Sequence, residues 1–250
     1  MTDHISVLYE DPAFAVLYKP AGVLMHADNV KLKAENLKRE RTIADWVVEH
    51  YPETKTVGDE PATRPGIVHR LDKETSGVLL IARTQDAFGY FKKLFQSHGV
   101  VKTYLALAAG FVATGDGVID KPIGLVSGTV RHTVHVARAK MVKPAVTRFY
   151  TLTRYEGEGK NYTLLSVEPL TGRTHQIRVH LASIGHPVVG DALYGKAHLP
   201  HVRRQFLHAE SLAFTAPSGE RLTVSADLPQ DLAQALTQLN PLPATRGQRS

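Results

Sequence analysis

The sequence predicts an α+β domain with a mostly antiparallel sheet. Three observations carry that expectation. β-prone runs follow one another across tight turn signals, helical periodicity fills only some of the intervals, and no regular strand–helix alternation suggests a parallel βαβ sheet. The 250 residues are 43% hydrophobic and 22% charged, which supplies a sizeable core and excludes global disorder.

Taken in order, Ile5–Glu10 and Phe14–Lys19 read as short strands parted by the Asp11-Pro12 turn, and Pro20-Ala21-Gly22 closes the second. The charge-dense Lys31–Arg41 reads as a solvated insertion. Thr42 can cap a helix from Ile43 to about Tyr51, with Asp45 in the first turn where the helix dipole favours an acid. Thr56–Pro65 is a loop, and Gly77–Arg83 a buried strand. Thr84 caps a helix that places Phe88, Phe91, Leu94 and Phe95 on one face and stops at Gly99. Strands follow at Val100–Ala108, Ala145–Tyr155 and Tyr162–Pro169. Arg173–Ile184 has helical spacing and ends at Gly185, and Ser211–Thr215 with Leu222–Ala226 forms a hairpin. A closing helix spans Asp231–Leu239, and residues 240–250 read as a frayed, disordered tail.

Several function classes drop out. There is no signal peptide at the N-terminus and no apolar run of membrane-spanning length, so the expectation is a cytoplasmic chain without a membrane partner. Zero cysteines exclude disulfides, thiolate metal sites and a cysteine nucleophile. The net charge of +6 is a weak pointer to a polyanion, but its distribution is a stronger one. Residues 121–155 hold seven Lys and Arg and no acid, and between Pro169 and His208 the only acid is Asp191.

Four stretches carry candidate chemistry. His69-Arg70-Leu71-Asp72 precedes the buried strand; a carboxylate there is commonly a turn residue, yet Arg70, Lys73 and a distant arginine would hold it ionised, as a nucleophile or base must be. Lys102 and Tyr104 alternate on one strand and face the same side, where the ring could be core or a stacking platform for a base. Arg173, His175 and Gln176 open a helix, a natural place for phosphate. Arg178, amid Ile177 and Leu181, is expected to be partly buried and so to need an anionic partner, with Asp72 the candidate. His186-Pro187 through Gly190-Asp191 completes the set. The histidine spacings lack any H-E-x-x-H arrangement, and there is no P-loop or G-x-G-x-x-G, so neither a metal nor a nucleotide cofactor is expected.

These stretches together resemble the pseudouridine synthases of the RluA type. The likeness rests on Pro65–Arg83 (PGIVHRLDKETSGVLLIAR), Val100–Gly110 (VVKTYLALAAG), Lys143–Tyr150 (KPAVTRFY) and Glu168–Gly195 (EPLTGRTHQIRVHLASIGHPVVGDALYG). Phe206–Phe214 and Tyr18–His26 extend it. The resemblance implies the pseudouridine synthase fold, with a long mixed sheet, flanking helices and a central cleft, in one catalytic domain over residues 5–239. It implies isomerisation of uridine to pseudouridine in ribosomal or transfer RNA, with no cofactor consumed; a monomer without an obligate protein partner is the default for a chain with no long exposed apolar segment. Asp72 takes the place of the catalytic aspartate, Tyr104 of the active-site tyrosine and Arg178 of the arginine that ion-pairs with the aspartate. Arg70 matches an arginine that holds the flipped nucleotide's place, and His69, Lys102, Arg173, His175 and Gln176 are the remaining substrate-binding candidates. Many relatives carry an N-terminal S4-type RNA-binding domain, whereas here the first strand begins by about Ile5, so RNA affinity is expected from the catalytic domain itself, including the two acid-poor stretches, with the Lys31–Arg41 insertion a further candidate for RNA contact. Competing readings are a non-catalytic RNA binder on the same fold and a metal-dependent hydrolase using the histidines.

Overall fold

The computed structural model describes residues 4–27, 40–112, 115–200 and 202–243. In chain order the elements are β1 (Ser6–Glu10), β2 (Phe14–Lys19), α1 (Ile43–His50), β3 (Ser76–Ala82), α2 (Gln85–Gln96), β4 (Val101–Ala109), β5 (Asp116–Asp120) and β6 (Ile123–Val126). They continue with β7 (His132–Thr133), β8 (Ala139–Lys143), β9 (Val146–Gly157), β10 (Lys160–Pro169), α3 (Gln176–Ser183), β11 (Leu207–Thr215), β12 (Arg221–Ser225), α4 (Gln230–Thr237) and β13 (Asn240–Pro241). The class is α+β, as the pattern of runs predicts. Most of the expected Lys31–Arg41 insertion lies outside the described residues.

The chain forms two compact units, one of residues 1–102 with 209–227 and the other of 103–208 with 228–250. In the first, β2 pairs antiparallel with both β1 and β3, and β11 lies beside β3 and pairs with β12. All seven residues of β3 are buried, which is why the run reads as continuously apolar rather than alternating. Its core gathers Phe14, Val16, Val78, Leu80, Phe88, Phe91 and Phe214, with Phe14, Phe91 and Phe214 in mutual edge-to-face contact at 5.1–5.8 Å. α1 begins with a reciprocal capping box: Asp45 N–H donates to Thr42 Oγ1, and Thr42 N–H donates to the Asp45 carboxylate.

In the second unit β10 is central, antiparallel to β4 on one side and to β9 on the other. The twelve-residue β9 also takes β5 along its first half and β13 near its end. Asn240 and Pro241, expected to fray, thus complete the sheet opposite Glu156 and Tyr155. A separate three-stranded sheet, β7-β6-β8, fills a stretch the sequence left without elements. Its strands are two to five residues long, too short to show a period, and only β8 is mainly exposed. The main core of this unit gathers Leu107, Phe149, Tyr162, Leu165, Leu181, Val189, Phe206 and Leu232.

Candidate nucleotide-isomerisation site

In the first unit, the loop leading into β3 carries His69, Arg70 and Asp72. Leu71 is buried beneath it, Asp72 is half-buried and Arg70 is exposed. The loop is held by Lys19, whose side chain is 0% exposed and whose Nζ donates to the carbonyls of Pro20, Lys73 and Thr75 at 2.8, 3.0 and 2.8 Å. Gly22 N–H adds a fourth tether by donating to Lys73 O at 2.9 Å, and Thr75 N–H closes a turn onto Asp72 O at 3.1 Å. Lys73 itself points to Glu40, 2.8 Å away. Sequence reasoning gave Lys19 no part; its only signal was a charge ending an otherwise apolar strand.

His69 acts as a strut in this loop. Leu80 N–H donates to its Nε2 at 2.9 Å, which leaves the ring proton on Nδ1, and the ring stacks on Phe95 at 4.6 Å. Desolvation, aided by the Lys102 charge, pushes its pKa down to about 3, so the ring is neutral at physiological pH. Lys102, near the start of β4, is half-buried.

The second unit holds Tyr104, Arg173, His175, Gln176 and Arg178. Tyr104 stands opposite Val167 in the β4–β10 ladder and packs partly buried against the main core. The helix expected from Arg173 starts at Gln176, because His175 takes a left-handed conformation (φ 56°) at the N-cap. That kink lets Gln176 turn inward. Its Oε1 accepts from Thr171 Oγ1 and from Arg173 N–H, and its Nε2 donates to Val146 O and Thr147 Oγ1, all within 2.7–3.0 Å. The network continues to His180, which is buried between Thr147 Oγ1 and the Lys121 carbonyl at 2.9 Å each. Burial holds the His180 imidazole below its ordinary pKa. Arg173 is half-buried, with Nε donating to Pro144 O at 2.9 Å.

Arg178 is buried, as its apolar neighbours predict, and Asp191 grips it in two-pronged fashion: Nε to Oδ2 at 2.6 Å and Nη2 to Oδ1 at 2.9 Å. Leu193 and Tyr194 N–H donate to the same Oδ1. Burial pushes the Asp191 carboxyl upward, but the Arg178 hydrogen bonds and charge, with the two amides, outweigh it and hold it below the usual carboxylate range. Gly190 sets the turn at φ 76°, where an added Cβ would stand 2.1 Å from the Arg204 carbonyl oxygen. Asp191 was missed as a partner although a signal existed: it is the only acid in a stretch with a buried arginine. Arg204, counted by sequence as basic surface, is also buried and pairs with Asp231 at 2.7 Å. The second acid-poor stretch therefore presents less free charge than its composition suggests.

The first acid-poor stretch differs. Arg131, Arg138, Lys140 and Lys143 on and around β7-β6-β8 are exposed, as are Val130 and Met141. A basic surface with interspersed apolar side chains suits an RNA backbone and its bases. The histidines singled out by spacing gather no metal-holding group of three His, Asp or Glu among the described residues.

The family model for RNA pseudouridylate synthases matches residues 13–183, and the chain belongs to that family. It is 37% identical over 96% of its length to a ribosomal large subunit pseudouridine synthase D of Nitrosomonas europaea, of which it spans 66%. It is 35% identical over 94% of its length to the RNA pseudouridine synthase YlyB of Bacillus subtilis, spanning 73% of that protein. Among solved structures, human RNA pseudouridylate synthase domain containing 1 superposes with a TM-score of 0.73 at 27% identity, over 98% of this chain and 91% of that one. No helix among the described residues is long and apolar enough to cross a membrane.

Proposed function

We propose that this chain converts uridine to pseudouridine in RNA, with large-subunit ribosomal RNA the foremost substrate. The observation that carries the reading is the family match over residues 13–183, which contains Asp72, Tyr104 and Arg178 in their motifs. The named ribosomal relatives favour ribosomal over transfer RNA. Residues 5–239 act as the catalytic domain of a monomeric, cytoplasmic enzyme that needs no obligate protein partner.

The chemistry is balanced without an added reagent. The C1′–N1 bond breaks, the uracil turns, C1′–C5 forms, the C5 proton leaves to solvent and N1 gains one. Extruding the base from its stack costs a few kcal/mol, which binding must offset. Asp72 is the carboxylate that starts the exchange, Tyr104 stacks on the extruded base, and Arg178 takes the orienting role that its motif assigns. Arg70 holds the nucleotide's vacated place. Lys102, Arg173 and His175 bind the substrate, whereas His69 and Gln176 serve through the backbone they brace.

The test is tritium release from RNA labelled at uridine C5, on separate ribosomal and transfer RNA transcripts. Wild-type release that falls by at least about 10³-fold in Asp72→Asn, with RNA affinity retained, is expected. Release from neither transcript with binding intact would turn the reading to a non-catalytic RNA binder.

A further inference from the structure

Tyr194 touches both things that an RNA-modifying site must keep in register. Its hydroxyl accepts the His132 N–H at 2.8 Å, at the start of β7, and lies 2.9 Å from His175 Nδ1 at the N-cap of α3. Its ring lies under the Arg178 guanidinium, 5.1 Å from the Cζ to the ring centroid. The same side chain packs on Ile123, Ala145 and Val179, which join β6 and the segment after β8 to α3. Arg131 reinforces the tie one residue away, its Nη2 donating to Leu193 O at 2.5 Å.

We propose that Tyr194 is a positioning residue that ties the basic sheet β7-β6-β8 to Arg178, so that RNA docked on the sheet is held in register with the arginine. The inference rests on the proposed function for the identity of the docked ligand, while the tie itself rests on these contacts. The division of labour within one side chain follows from its chemistry. The hydroxyl fastens the sheet and the N-cap histidine, and the ring supports the cation face-on. Asp191 fixes the guanidinium in its own plane, so the ring supplies the restraint that the carboxylate does not.

Two substitutions separate these roles. Tyr194→Phe keeps the ring and removes the hydroxyl; Tyr194→Leu removes both. Steady-state tritium release, RNA affinity and amide hydrogen exchange over residues 123–143 are measured for each full-length variant and the wild type. For Tyr194→Phe the expected result is exchange at His132 and its neighbours faster by roughly tenfold or more. The same variant should raise KM for RNA about fivefold, with kcat within about twofold of wild type. Tyr194→Leu should show the same exchange and a kcat lower by roughly threefold to tenfold, the worth of a partly desolvated cation–π contact. Wild-type exchange and wild-type KM in Tyr194→Phe would overturn the proposal. So would losses in both variants that track only the fraction of folded protein, with KM unmoved. If the wild type releases no tritium from either transcript, the proposed function falls, and the exchange measurement alone decides whether the tie exists.

Discussion

Lys19 is a full charge surrounded by backbone rather than water. An ammonium has three protons, and here three carbonyls from two separate segments receive them. Replacing it by Met would keep the stem's packing but leave those carbonyls without their donor. Lys19→Met should therefore lower stability by roughly 3 kcal/mol, read from the urea midpoint at unchanged slope, and loosen the loop that carries Asp72. His69 and His180 make the complementary case: the bond from Leu80 N–H requires a neutral His69 ring, and burial favours the neutral ring of His180. Both have folded pKa values below the unfolded one. The unfolded chain then takes up protons that the folded chain refuses, so the stability they lend is whole above about pH 6.5 and drains away as pH falls toward their folded values. Urea midpoints should drop from pH 7.5 to 5, and the drop should shrink in His69→Gln, which keeps an acceptor for Leu80 N–H without the titration.

At the scale of elements, α2 shows where sequence signals point near the target but not at it. Gly99 reads as the helix stop, yet the left-handed residue is His98, at φ 60°. Gly99 N–H reaches back to Leu94 O at 2.8 Å and His98 N–H to Phe95 O at 3.4 Å, the paired bonds of a Schellman end. An exposed histidine thus occupies the position where glycine carries no steric cost, and His98→Gly should raise stability by about 0.5–1 kcal/mol in urea or thermal melts. β9, β10 and α2 were legible because a buried face repeats, and β3 because its apolar run is unbroken; each falls within a few residues of its expected bounds. The β7-β6-β8 sheet was not, since its strands are too short to impose a period. The site divides the same way. Asp72, Tyr104 and Arg178 stood out by motif, and the burial of Arg178 by its apolar neighbours. Lys19 and Tyr194 act largely through contacts with residues 16 to 62 positions away, which no local pattern encodes, and Asp191 could be found only as the lone acid of its stretch.

For the molecule as a whole, net charge misleads unless buried pairs are set aside. Arg178 and Arg204 are neutralised internally, whereas Arg131, Arg138, Lys140 and Lys143 face solvent. RNA affinity should accordingly fall steeply with salt, and the double variant Lys140→Ala, Lys143→Ala should make the log–log slope shallower by about 1.4, at roughly 0.7 per phosphate contact. Binding curves across a salt series check this, and an unchanged slope would remove β8 from the RNA surface. The unit boundaries bear on a different event, the birth of the chain. The first unit needs residues 209–227, which are made only after 103–208 have been synthesised. At roughly 5–20 residues per second that interval lasts about 5–20 s. Throughout it the nascent β3, the most apolar strand of its unit, has β2 but waits for β11. During translation this is the edge open to wrong partners, and a ribosome pausing within 103–208 would prolong the exposure.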